Sequence, residues 1–147
     1  MSESTTHIKT KRPEFRNIDF ASLRSLRWPL ASLASGMHRV SGAFLFLMMP
    51  FIIWMFDNSI SSEISFAKFT ATFNTGMWGL PGFLWKLVAL GMVWASLHHF
   101  IAGLRHLWMD THHAHVNKDF GRQTAALVLV LTLGLTLVLG AKLFGLY

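Results

Sequence analysis

Residues 87–104 read LVALGMVWASLHHFIAGL, eighteen consecutive positions without an Asp, Glu, Lys or Arg. At about 1.5 Å rise per residue such a run crosses most of the ~30 Å hydrocarbon layer of a bilayer, and a few flanking residues complete the span. Two further runs share this character, VSGAFLFLMMPFIIWMF at 40–56 and TAALVLVLTLGLTLVLGA at 124–141. In a chain of 147 residues that is 52% hydrophobic and 14% charged, three such runs exceed what a soluble core of this size can bury. They predict an all-α integral membrane protein, a bundle of three transmembrane helices near 30–56, 83–109 and 122–146. One membrane domain then covers 30–147, behind a polar segment at 1–29.

The charges orient the bundle. Lys9, Lys11, Arg12, Arg16, Arg24 and Arg27 precede the first span, and Arg105, Lys118 and Arg122 lie between the second and third, whereas only Lys142 lies near the other end of the third. Positive charge marks the inner side, so the N-terminus is expected in the cytoplasm and the C-terminus outside. The net charge of +6 is thereby a topology feature. It is not interleaved with exposed aromatics in the manner of a nucleic-acid surface, and no nucleic acid is expected as a partner. The N-terminal segment lacks the short apolar core of a secretory leader, and its acids Glu3, Glu14 and Asp19 argue against a transit peptide.

Local residues punctuate the spans. Pro29 suits the start of the first helix, Pro50 is expected to kink it, and Asp57, Asn58 and Ser59 to end it. Residues 57–82 read as a connection on the outer side, with Met77, Trp78 and Trp85 as interfacial anchors. The absence of cysteine excludes disulfides, thiolate-held iron–sulfur clusters and covalent c-type haem within the chain, leaving histidine as the main candidate ligand.

Polar residues inside a span are costly and point to function. Ser35, His38, Arg39 and Gly42 are spaced to share one stripe of the first helix. Arg39 sits too deep to reach the interface fully and is expected to meet an acidic or carbonyl partner in a protein interior; a snorkelling Arg39 and a Ser35 bonded back to its own helix are the alternative reading. On the second helix, His99 has only Ala95, Ser96, Ala102 and Gly103 one turn away, whereas His98 has Trp94 and Ile101 among its neighbours. A flat macrocycle needs such small neighbours, which makes His99 the better haem ligand and His99 to iron the expected metal bond. A close helix contact with a hydrogen-bonded imidazole is the alternative reading. His106, two turns nearer the inner surface, is placed to meet a haem propionate rather than the same iron, so a second axial ligand must come from elsewhere. His112, His113 and His115 at the inner interface read as a solvated loop, and no structural metal is expected there.

These residues carry a resemblance. The segment 34–42, ASGMHRVSG, and the pattern H-x-x-x-G-[IL]-R-H-x-x-x-D running from His99 to Asp110 are similar to the cytochrome b membrane-anchor subunit of succinate dehydrogenase, respiratory complex II. The order and spacing of the two motifs on consecutive membrane helices make the likeness specific; the third helix and first loop match in hydropathy alone. The resemblance implies one haem b shared with a second small anchor subunit that supplies the other axial His. It implies partnership with an iron–sulfur subunit and a flavoprotein subunit, which hold the clusters and FAD, and a share in a ubiquinone site. His99 then corresponds to the axial ligand, His38 to a neighbour of the propionates, and Ser35 and Arg39 to quinone-site residues. The segment ahead of the first helix, Leu26-Arg27-Trp28-Pro29, departs from the mitochondrial S-P-H-x-x-x-Y pattern, which favours a bacterial inner membrane as the location.

On that reading electrons from succinate reach a quinone near the inner ends of the first two helices. Ser35 would hydrogen-bond a quinone carbonyl, and Arg39 would stabilise the negative charge developing during reduction and orient the propionate side. Alone, the chain is expected to have no succinate-oxidising activity. A fumarate reductase anchor running in reverse is the nearest alternative. A small proton-conducting protein using His38, Arg39, His99 and Asp110 is the alternative from another class, although no repeat supports it. A purely structural anchor would leave Ser35, Arg39 and His99 without a reason.

Overall fold

The computed structural model describes residues 19–25 and 27–147. The expected inner tail up to residue 18 lies outside the described residues, as does Leu26. A short helix α1, Phe20–Ser25, leads into α2, Leu30–Ile60; then come α3, Glu63–Asn74, α4, Gly82–Thr111, a single 3-10 turn at His113–His115, and α5, Lys118–Leu143. Three of these, α2, α4 and α5, are long and apolar enough to cross a membrane. They form the expected bundle, with α4 packed against both others.

The ends of the helices have local causes. Pro29 is the N-cap residue of α2, with φ −61° and ψ 147°. Its missing N–H costs nothing in a first turn. At the other end α2 runs on through Asp57, Asn58 and Ser59 to Ile60, because those polar groups bond back along the helix. Asn58 Nδ2 donates to the Trp54 carbonyl at 2.8 Å, and Ser59 Oγ to that of Phe56 at 2.7 Å. Helix α5 begins four residues before the expected position because the Asn117 side chain accepts the Phe120 N–H at 2.8 Å. It ends at Leu143, and just beyond it Gly145, at φ 74°, lets the Leu146 N–H bond the Ala141 carbonyl at 2.9 Å, a Schellman closure.

Helix α3 occupies what the sequence suggested was an irregular connection. Ser62 caps it reciprocally: its Oγ accepts the Ser65 N–H at 3.1 Å, while Ser65 Oγ accepts the Ser62 N–H at 2.9 Å. Phe66, Phe69 and Phe73 follow at helical spacing, and α3 packs on α2 and α4. The chain then turns tightly between Met77 and Leu80, which exchange backbone bonds of 3.1 and 3.0 Å around Trp78 and Gly79 at positive φ. Trp78 is 80% exposed, as an interfacial anchor should be, but Trp85 is not: it is buried against Phe51 and donates Nε1–H to the Met77 carbonyl at 3.3 Å.

Apart from Trp85 and Met92, the interior is built mainly of small and polar residues, and the exterior of large apolar ones. Ala34 and Ser41 of α2, Ala95, His98 and Ala102 of α4, and Gly121, Ala125, Val128 and Thr132 of α5 are buried. Phe46, Phe100 and Leu137 face outward. Water would reverse this arrangement; lipid permits it, because helices surrounded by hydrocarbon gain by close backbone approach rather than by hiding leucine. Two contacts fix the register of α4 against α5. Arg105 donates to Thr124 Oγ1 at 2.9 Å and to the Gly121 carbonyl at 3.1 Å near the inner end, and Leu90 lies over Gly140 near the outer one, where a Cβ would come within 2.8 Å of its Cδ1.

Candidate functional site

Antiparallel packing of α2 and α4 brings the two polar stripes together. The tandem histidines diverge because one residue along a helix is a turn of about 100° around it. His98 points into the bundle and is fully buried; its Nε2 donates to the Ala34 carbonyl at 3.2 Å, and its Nδ1 has no partner among the described residues. His99 is half-buried on the next face. Its Nδ1 lies 3.1 Å from the His38 carbonyl and 3.4 Å from Ser41 Oγ.

A carbonyl can only accept, which assigns the proton of His99 to Nδ1 and leaves Nε2 with a lone pair and no protein partner among the described residues. Metal-bound imidazoles are commonly held this way, one ring nitrogen donating to a backbone carbonyl and the other turned to the metal. The residues therefore fit a haem iron at His99 Nε2. Enclosed within the bundle, His98 offers an iron no approach.

Glycines make room for this imidazole cluster. A Cβ on Gly42 would come within 2.8 Å of His99 Cε1, and one on Gly103 within 3.4 Å of His38 Nε2. The His38 ring stacks on His99 with centroids 4.3 Å apart and planes 12° from parallel, and it lies 5.2 Å from the His106 ring. The three rings thus form a column from the middle of the span toward the inner surface, His99, His38 and His106.

Beside that column lies a cleft of about 450 Å³, with Ser35, Arg39, His106 and Trp28 in its walls. Ser35 Oγ forms no hydrogen bond among the described residues, unlike Ser41, whose hydroxyl donates to the His38 carbonyl at 2.9 Å. Arg39 departs from expectation. It is exposed on this chain and has no acidic or carbonyl partner among the described residues, although it sits nine residues into α2, about 14 Å along the axis. A guanidinium at that depth facing away from its own bundle requires polar groups beyond the described residues.

Three residues contribute in ways the sequence reading did not assign. Ser41, three residues after His38, supplies the second acceptor for His99 Nδ1–H. Gly103 admits the His38 ring. Arg105, read only as an orienting charge, ties α4 to α5 and lines the cleft. The histidines after Asp110 turn back on their own helix: His112 Nδ1 and His113 Nδ1 donate to the carbonyls of Trp108 and Met109 at 3.2 and 3.0 Å.

Comparison with known proteins adds to this geometry. The chain matches the family model of the succinate dehydrogenase/fumarate reductase transmembrane subunit over residues 16–139. It is similar to a protein named succinate dehydrogenase cytochrome b556 subunit from Paracoccus denitrificans, 32% identical over 88 residues that make up 60% of this chain and 62% of that one. A protein of the same name from Coxiella burnetii is 33% identical over 103 residues, 70% of this chain and 74% of its own. The match thus spans under two thirds of the first relative's length and about three quarters of the second's.

Proposed function

Given that this chain belongs to the succinate dehydrogenase/fumarate reductase transmembrane subunit family, we propose that it is the cytochrome b anchor of a succinate:quinone oxidoreductase. It holds one haem b together with a second small anchor subunit and forms part of the ubiquinone site. The multi-pass bundle sits in a bacterial inner membrane with its N-terminus in the cytoplasm, where the iron–sulfur and flavoprotein subunits dock. Those subunits carry the clusters and FAD; this chain alone oxidises no succinate.

One observation carries the reading: the Nδ1–H of His99 is committed to the His38 carbonyl, and Nε2 has no partner among the described residues. An unpaired ring nitrogen there has a cost unless a ligand takes it. Haem b, when bound, supplies a one-electron centre beside the quinone. The chain's own residues supply the rest. His99 Nε2 would hold the iron, Gly42 and Gly103 leave room for the rings, and His38 and His106 would donate to the propionates. A histidine of the partner anchor would complete the iron's ligands, and that subunit would also cover the exposed face bearing Arg39.

In the cleft, Ser35 has a free hydroxyl to donate to a quinone carbonyl, and Arg39 brings a fixed positive charge to the side on which negative charge develops during reduction. Trp28 stands in the cleft wall at the foot of α2, where a flat ring enters from the interface.

The test is a pair of activities measured on the complex purified with its native partners. Ser35→Ala and Arg39→Gln are expected to lower succinate-dependent ubiquinone reduction by ten-fold or more, while transfer from succinate to a soluble dye, which bypasses the membrane site, stays at the wild-type level. Equal loss of both activities, or of neither, would contradict the assignment of Ser35 and Arg39 to the quinone.

A further inference from the structure

At the end of the bundle away from the histidines, α2, α3, α4 and α5 leave a groove of about 570 Å³ walled by residues such as Met55, Phe69, Phe73 and Ala89. Ile52, Met55 and Ala89 also line a second cavity of about 420 Å³ that continues along α4 as far as Ser96 and Leu97. Sharing those walls, the two adjoin, and a slender group passing between Ile52 and Ala89 would join them into one channel.

Its charge is confined to one end. Among the described residues, Lys86 is the only charged one lining either cavity. It is half-buried in the first turns of α4, has no acidic partner among the described residues, and holds Nζ 5.9 Å from the centre of the Phe144 ring. Asn74 lines the same end of the groove, and its side-chain amide forms no hydrogen bond among the described residues. From Lys86 to Leu97 the channel follows eleven residues of helix, about 16 Å. That is close to half of the ~30 Å hydrocarbon layer, the depth of one leaflet.

A cation at the level of the headgroups, with an apolar channel of one leaflet's depth running inward from it, has the outline of a lipid. We infer that this groove binds one anionic phospholipid from the leaflet on the side away from the N-terminus. Its phosphodiester meets Lys86 and the Asn74 amide, and one acyl chain runs between α2 and α4 past Ile52 and Ala89. A quinone brings no anion to Lys86 and would leave the lysine unpaired. This site is separate from the cleft of Ser35 and Arg39 and does not depend on haem or quinone binding there.

Native mass spectrometry of the delipidated complex, titrated separately with phosphatidylglycerol and phosphatidylcholine, tests the inference. One phosphatidylglycerol is expected to stay on each copy of this chain, in preference to phosphatidylcholine. Lys86→Gln should weaken retention about fivefold, the factor one lysine contributes beside an anionic headgroup, and Lys86→Arg should restore it. Ala89→Phe, which fills the channel, should abolish it. Lys142→Gln, a lysine at the same end that does not line the groove, should leave it unchanged. Circular dichroism and co-purification of the partner subunits report whether each variant still folds and assembles.

Wild-type retention in Lys86→Gln, or equal retention of the two lipids, would overturn the inference. So would a quinone, in place of lipid, released in amounts that fall with Ala89→Phe, or loss of a partner subunit in that variant, which would make the groove a protein interface.

Discussion

Replacing Gly42 by alanine should displace His99, the proposed haem ligand, without replacing any ionisable group. The added Cβ would stand 2.8 Å from His99 Cε1 and 3.1 Å from Nδ1. Carbon atoms in contact prefer about 3.5–4.0 Å, so the imidazole must retreat by about 0.7 Å or more. It has little freedom to do so, because it stacks on His38 and is tied by Nδ1–H to the His38 carbonyl at 3.1 Å. Moving directly away would stretch that bond to about 3.8 Å, beyond useful range. Overpacking costs about 1–3 kcal/mol and the lost bond about 1 kcal/mol, against about 1 kcal/mol regained from the better helix propensity of alanine. A net loss of about 1–3 kcal/mol is expected.

Gly134→Ala is the matched control, since Gly134 is exposed in α5 and a Cβ there meets nothing within 4 Å. Both variants, in the complex with its native partners, are followed by the haem-to-protein ratio and the thermal midpoint. Gly42→Ala should lose haem and melt lower, and Gly134→Ala should match or slightly exceed wild type. If Gly42→Ala keeps its full haem content and midpoint, the close fit between Gly42 and His99 does not matter and the reasoning fails.

The helix pairing makes further predictions. Arg105→Gln removes two charge-assisted bonds from α4 to α5 and should destabilise the complex by about 1.5–3 kcal/mol in thermal or denaturant unfolding; Thr124→Val, which leaves the bond to the Gly121 carbonyl, should cost less. Ser62→Ala breaks the capping box of α3 and should lower stability by about 1 kcal/mol, while the haem spectrum stays unchanged. Ser35→Ala should leave the thermal midpoint within about 0.5 kcal/mol of wild type, because the hydroxyl has no bond to lose, even as quinone reduction falls.

The sequence displayed the three spans plainly because their charge-free runs have no soluble explanation. It concealed α3, whose Ser, Thr and Asn content resembles a loop until Ser62 and Ser65 are read as a reciprocal cap and the phenylalanines as one face. The far end of α2 was obscured for a related reason: Asn58 and Ser59 can end a helix or bond back along it, and their geometry alone decides.

In the site, small neighbours separated His99 from His98 at the level of sequence, and the same helical periodicity turns His98 inward onto Ala34. No partner of Arg39 was legible, and none is present among the described residues. Nor was the role of Ser41, whose acceptor position depends on how closely α2 approaches α4.

The most direct test compares reduced-minus-oxidised visible spectra of the complex carrying wild-type chain, His99→Leu and His98→Leu. A b-type α band in wild type that disappears in His99→Leu and survives in His98→Leu is the predicted result, with His98→Leu weakened in stability by its lost bond to Ala34. A band that survives in His99→Leu, or one that no wild-type preparation shows, would contradict the assignment of haem to His99.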